Sequence, residues 1–166
     1  MEEIFARRSV RKYKDVPVPH DLIEKVIMAG MAAPSAGNAM PWHFIIIDDR
    51  RTLEKITKIH PYANMLKECA AAVMVCGDLL LELYKGFWVQ DCSAATENIL
   101  IEAVHLGLGA VWLGVYPVEE RVKGLQNLIG LPENVIPLSI VSLGYPLEKP
   151  ERINRFDPSR IRRNAW

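Results

Sequence analysis

The chain is short of the features that most directly reveal a function. No run reaches the roughly 18 apolar residues a membrane span needs. The opening MEEIFARRS is acidic, with no signal-type apolar stretch, so a cytoplasmic protein is expected. Cysteine is scarce and odd in number: Cys69, Cys76 and Cys92 match neither zinc-ligand nor CxxC spacing and read as buried reduced thiols. Neither GxGxxG nor GxxxxGK[ST] occurs, which argues against a dinucleotide fold or a P-loop. His20, His43, His60 and His105 form no HExxH pair, and none of the serines sits in a GxSxG elbow, so the histidines are expected to be satisfied or exposed. Formal net charge is zero, which removes the general argument for a polyanionic partner.

Half of the 166 residues are hydrophobic and 24% are charged, the composition of an ordinary globular chain with one sizeable core. The zero charge is unevenly spread. Residues 1–14 and 147–166 each carry a net +3, and the middle carries −6. If the fold brings both ends to one cavity, side chains far apart in sequence can hold a compact anion there.

Hydrophobic periodicity predicts alternating helices and strands. A helix starts at His20 or Asp21, shows Leu22, Ile23, Val26, Ile27 and Met31 on one face, and is ended by Pro34. Trp42 to Ile47 reads as a strand, and Asp48 and Asp49 lead into a helix with Leu53, Ile56 and Ile59, closed by Pro61. Residues 70–77, AAAVMVCG, form an unbroken apolar run expected of a central strand covered on both faces. A long helix from about Val89 to Leu106 carries Ala94, Ala95, Ile99 and Ala103 among the polar Gln90, Asp91, Glu97, Asn98 and Glu102. Gly107 and Gly109 stop it. AVWLGV, 110–115, reads as another buried strand. Pro117, Glu119 and Glu120 open a helix that Gly130 terminates, and IPLSIVSL, 136–143, is the last strand. The remaining tail has too little apolar periodicity to fold alone and needs a host surface. With no linker or repeat, residues 1–166 read as one α+β or α/β domain.

Three constellations carry chemistry. In RRSVRKY, Arg7, Arg8, Ser9 and Arg11 offer guanidinium forks and a hydroxyl suited to a phosphate monoester, or else form a solvated basic terminus. In APSAGNAMPW, Pro34 and Pro41 restrict a loop in which Ser35 and Asn38 can present fixed donors and acceptors. That loop serves a ligand or simply turns a helix into a strand. In GYPLEKPERINR, Arg155 is the residue singled out, while Lys149, Arg152, Arg160, Arg162 and Arg163 read as surface charges.

These stretches, with DCSAATENILIEAVHLGLGAVW and GLPENVIPLSIVSLGYPLEKP, occur in the order and approximate spacing of one family over nearly the whole chain. The sequence resembles the small single-domain branch of the nitroreductase family of FMN-dependent oxidoreductases. The resemblance implies an α+β fold of three α/β/α layers, with a mostly antiparallel central sheet flanked by helices. It also implies an intertwined homodimer whose C-terminal tail extends onto the partner. Two FMN molecules would lie at the subunit interface. Arg7, Arg8, Ser9 and Arg11 would hold flavin phosphate, ribityl chain and ring edge, and Arg155 would complete the phosphate site. Pro34, Ser35 and Asn38 would come from the partner chain, and the backbone at Leu113 and Gly114 would border the isoalloxazine. The implied reaction takes a hydride from NAD(P)H through flavin N5 to an electron-poor acceptor such as a nitroaromatic or quinone, with no catalytic side chain and no metal.

Three departures from the family pattern stand out. Met40 replaces a usual Gln before Pro-Trp, Glu97 replaces a usual Gln before Asn98, and the short span 78–89 abbreviates the lid helices. Two other readings compete: an FMN-binding carrier or reductase component without its own substrate, and a nucleic-acid module using the basic tail. The absence of a nucleic-acid motif and the zero net charge weigh against the second.

Overall fold

A computed structural model describes residues 2–148, 151 and 153–166; Lys149 and Arg152 lie outside the described residues. Its helices are α1 (Glu2–Ala6), α2 (His20–Met31), α3 (Arg50–Ile59), α4 (Trp88–His105) and α5 (Glu119–Ile129). Its strands are β1 (Trp42–Ile47), β2 (Ala71–Asp78), β3 (Gly109–Gly114) and β4 (Val135–Gly144). They form one sheet in the order β1-β2-β4-β3, with every pairing antiparallel.

Alternation along β2 shows why two helical layers are needed. Ala71, Val73 and Val75 pack with Ile23 and Val26 of α2 and with Cys92, Ala95, Ile99 and Ala103 of α4. Ala72, Met74 and Cys76 pack on the opposite face with Leu53 and Ile56 of α3 and Leu125 of α5. Both faces of the strand are therefore apolar, as its unbroken hydrophobic run predicts. The layers are α2/α4, sheet, α3/α5. Burial pushes the thiols up, Cys69 to about 11 and Cys76 and Cys92 to about 12, and all three are free and buried.

Local chemistry sets the helix ends. The Asp49 carboxylate accepts from the Thr52 N–H at 2.8 Å and so caps α3. Gly130, at φ 77°, ends α5 in the left-handed conformation that glycine adopts without a Cβ clash. α2 ends at Met31, three residues ahead of Pro34. α1 has no counterpart in the periodicity, because a helix of five residues is too short to show one. It is held from outside, where Glu3 Oε1 lies 3.3 Å from His105 Nδ1 at the end of α4.

Two expectations need correction. β3 was expected to be buried; its side chains mostly are, but the strand lies at the sheet edge and Gly114 is exposed. Hydropathy reports the faces of a strand and says nothing about its backbone edges. Asp91, placed by periodicity among the polar positions of α4, is only 5% exposed.

The segment after α1 runs along the free edge of β3. Ser9 bridges Ala110 in parallel, and the Val10 N–H donates to Ala110 O at 2.9 Å. Gly109 admits Val10 there, since a Cβ at Gly109 would lie 2.7 Å from a Val10 methyl. Tyr13 anchors the far end: its buried hydroxyl donates to Val10 O at 2.7 Å and pairs with Ser142 Oγ at 2.6 Å. Among the described residues, no helix is long and apolar enough to cross a membrane.

Replacing Tyr13 with Phe strands the buried Ser142 hydroxyl and frees Val10 O, so Tyr13→Phe should lower unfolding free energy by about 1–3 kcal/mol in urea titration. An unchanged midpoint would contradict this. Acid sensitivity gives a second check. Burial alone would raise the Asp78 carboxyl, but hydrogen bonds from Asn134 Nδ2 at 2.7 Å, the Leu80 N–H at 2.9 Å and His43 hold it below its ordinary value. A depressed carboxylate stabilises the fold above its unfolded value and loses that contribution as pH falls through the folded one. Asp78→Asn should therefore flatten the stability profile below about pH 4.

Candidate functional site

The two chain ends meet. Ile4, Phe5, Arg7 and Arg8 from α1 and its exit, with Ile153, Asn154, Arg155 and Phe156 from the tail, line a cleft of about 640 Å³. Arg7 and Arg155, 148 positions apart, thus share one surface. Arg8 holds the tail in place. Its Nε donates to Glu151 O at 2.9 Å and Nη2 to Ile153 O at 3.2 Å, while Nη1 reaches the carbonyls of Arg7 and Phe5. Its donors are thereby engaged with backbone. Arg7 uses Nε toward Glu97 Oε1 at 3.3 Å. Among the described residues, the terminal nitrogens of Arg7 and the whole Arg155 guanidinium have no ion-pair or hydrogen-bond partner. Two free guanidinium forks in a cleft suit a compact oxyanion.

Ser9 and Arg11 lie next along the chain, beside β3, and both are exposed. Leu113 and Gly114 end that strand, Leu113 facing the α3/α5 core and Gly114 in solvent. Among the described residues, no other strand covers the outer edge of β3 beyond Ala110. Such an edge presents backbone N–H and C=O groups to a ligand.

Pro34, Ser35 and Asn38 line a different region, and none of them borders the arginine cleft. Their loop makes a short turn at Ala36–Asn38, with Gly37, Asn38 and Met40 at φ 60°, 57° and 47°. Two bonds fix this tight path: the Met40 N–H donates to Ser35 Oγ at 2.9 Å, and the Ala36 N–H to the buried Asp91 Oδ1 at 2.9 Å. The loop is fastened to the first turn of α4, whereas the Arg7 partner Glu97 sits six residues on, roughly 9 Å along the helix axis. Within one chain the loop and the arginines are thus separate groups.

The departures now have physical settings. Met40 is exposed and stabilised through its backbone. Glu97 neutralises part of Arg7, and Asn98 Nδ2 donates to Ala29 O at 3.0 Å, tying α2 to α4. No α-helix lies between β2 and α4. In the tail, Arg160 pairs with Asp157 at 3.1 Å and Arg162 donates to the Ser159 and Ile161 carbonyls. Among the described residues, no group of three His, Cys, Asp or Glu side chains is placed to hold a metal ion. Sequence reasoning missed Asp91, His60 and Arg121. An acid inside the small-residue stretch VQDCSAA was the available signal for Asp91; the other two carry none, because their shared partner is a backbone oxygen.

Comparison with known proteins bears on this arrangement. The sequence model of the nitroreductase family matches residues 4–77 and 86–145. The chain is 52% identical over its full length to a Methanothermobacter thermautotrophicus protein that carries the provisional name NADH dehydrogenase/NAD(P)H nitroreductase, covering 87% of it. A crystal structure under the same provisional name from Parabacteroides distasonis matches with a TM-score of 0.96 and 44% identity, over 99% of this chain and 97% of that one. An FMN-dependent nitroreductase from Clostridium difficile matches over the whole of both chains, with a TM-score of 0.92 and 27% identity.

Asp91→Ala removes the acceptor for the Ala36 N–H in a buried setting. Hydrogen exchange should show lost protection at Ala36, with a stability cost of about 1–2 kcal/mol. Protection equal to that of the unaltered chain would show that the loop holds itself.

Proposed function

Because the chain belongs to the nitroreductase family of flavin-dependent oxidoreductases, we propose that it binds FMN between two copies of itself and reduces electron-poor acceptors with NAD(P)H. When bound, FMN supplies the redox chemistry, taking a hydride at N5 and passing electrons to an acceptor such as a nitroaromatic or quinone. The observation that carries this reading is the convergence of Arg7 and Arg155 on one cleft with free guanidinium forks.

The residues fit the group. A phosphate monoester offers oxygens to both forks, and its dianion is met by the Arg155 charge together with the Arg7 charge, which Glu97 offsets in part. Arg8 keeps the tail carrying Arg155 in position. Ser9 and Arg11 continue from the cleft along β3 toward the ribityl chain and ring edge. The β3 edge at Leu113 and Gly114 offers backbone groups to the polar rim of the isoalloxazine. Pro34, Ser35 and Asn38 are assigned to the partner's FMN, which accords with their distance from the arginines of their own chain.

The dimer is supported by exposed surface. A compact protein of 18.8 kDa exposes on the order of 8,300 Å², whereas this chain exposes 10066 Å². Ile153, Phe156, Ile161 and Trp166 in the tail are all more than half exposed. That apolar tail extends onto the partner, which gives it the host surface its sequence calls for. A single FMN-binding domain over residues 1–166 and a cytoplasmic location complete the proposal. Nucleic acid and membrane have no part in it.

Two measurements test the proposal. Arg7→Ala and Arg155→Ala should each raise the FMN dissociation constant roughly ten- to a hundredfold, the loss of a charge-assisted contact, and Arg163→Ala should leave it nearly unchanged. Equal constants for all three overturn the phosphate assignment. Anaerobic stopped-flow should show the bound flavin bleached by NADH or NADPH and reoxidised by a quinone or nitroaromatic. A bound flavin that neither nicotinamide reduces would mark a carrier instead.

A further inference from the structure

The carbonyl oxygen of Gly114 is held from two sides. His60, after α3, is 2% exposed. Its Nδ1 accepts from the Tyr62 N–H at 3.2 Å, so Nε2 is the protonated nitrogen and donates to Gly114 O at 2.8 Å. Arg121, in the first turn of α5, donates from Nη1 to the same oxygen at 2.9 Å, and its guanidinium carbon lies 5.6 Å from the centroid of the Tyr62 ring. Nη1 and His60 Nε2 stand 3.5 Å apart, two donors converging on one acceptor. Burial, with the Arg121 charge adding to it, lowers the His60 pKa and keeps the ring neutral, as this geometry requires.

Backbone alternation gives the clasp its significance. Ala110 O faces outward to Val10, so Trp112 and Gly114 turn their own N–H and C=O to the same open side of β3. An unclasped Gly114 oxygen would present a lone pair to any electron-rich group laid along that edge. With both donors on it, the oxygen is occupied and the Gly114 N–H is left as a donor beside a full positive charge. A neutral donor alone would satisfy the carbonyl; the second one brings the charge. Of the two acids in the same helix turn, Glu119 lies 3.7 Å from Lys123 with both side chains largely solvated, and Glu120 is exposed, so solvent screens both from the Arg121 charge.

We infer that His60 and Arg121 are positioning residues that leave the Gly114 peptide at the end of β3 donor-only and electropositive, favouring negative charge on the isoalloxazine ring and raising the reduction potential of bound FMN. This inference rests on the FMN reading given above. It acts through the Gly114 peptide and the local field, and neither side chain needs to touch the cofactor.

The test compares the FMN-loaded full-length chain with Arg121→Gln and Arg121→Lys by redox titration, alongside FMN affinity. Arg121→Gln should shift the two-electron midpoint potential negative while changing the affinity for oxidised FMN by no more than about fivefold, the scale of one solvent-facing charge. Arg121→Lys, which keeps the charge, should restore most of the shift. A purely structural role would change melting temperature and leave the potential alone. FMN bound with the same potential in Arg121→Gln overturns the clasp and leaves the FMN reading standing. A wild-type chain that binds no FMN overturns both. Nitrogen NMR of the FMN-free protein should find His60 protonated on Nε2, and an Nδ1–H ring would also overturn the inference.

Discussion

The free edge of β3 is the constraint on which the rest of the site depends. An edge strand has backbone donors and acceptors that must be paired, covered or used. Here the segment from Ser9 to Tyr13 takes the edge at Ala110, and His60 with Arg121 takes the oxygen at Gly114. The first contact delivers the basic N-terminal cluster to the sheet. The second shapes the stretch that remains open. The Val10–Ala110 hydrogen bond and the Tyr13 anchor fix the path of the chain behind Arg7 and Arg8.

α4 organises the other half. Its 18 residues span roughly 27 Å and meet a different neighbour at each stage. Asp91 fastens the Ser35 loop in the first turn, Asn98 ties down the end of α2, Glu97 meets Arg7, and His105 meets α1. Gly30 lets α2 approach closely, since a Cβ there would stand 3.0 Å from Ile99. The small side chains along α4 thus fix the spacing between one candidate ligand-binding loop and the basic cluster. In the proposed dimer that spacing recurs across the interface.

Much of the fold was legible because burial leaves a periodic trace. β2 shows an unbroken apolar run because helices cover both of its faces, and α3 shows its capping acid and one apolar stripe. The resemblance to the nitroreductase family rested on several short stretches in register, and the matched residues 4–77 and 86–145 contain most of them. Arg7, Arg8 and Arg155 were recognisable as a set only through that resemblance, with the charge at both chain ends pointing the same way. Asp91 reads in the sequence as one of the polar positions of α4 yet is buried, because α4 carries too many small residues for its polar side to be sharply defined.

The sequence alone determined the helices and strands other than the short α1, the apolar faces they turn inward, and that cationic groups gather at both ends. Those properties follow from local periodicity and side-chain chemistry, which each stretch carries with it. Only the tertiary structure decided that β3 is an edge, that Arg8 grips the tail backbone while Arg7 meets Glu97 through Nε alone and Arg155 has no partner among the described residues, and that His60 and Arg121 converge on Gly114. Each depends on where a backbone group is left unpaired after the sheet assembles. A peptide oxygen is the same in every residue, so no pattern of side chains could foretell which one would need two donors.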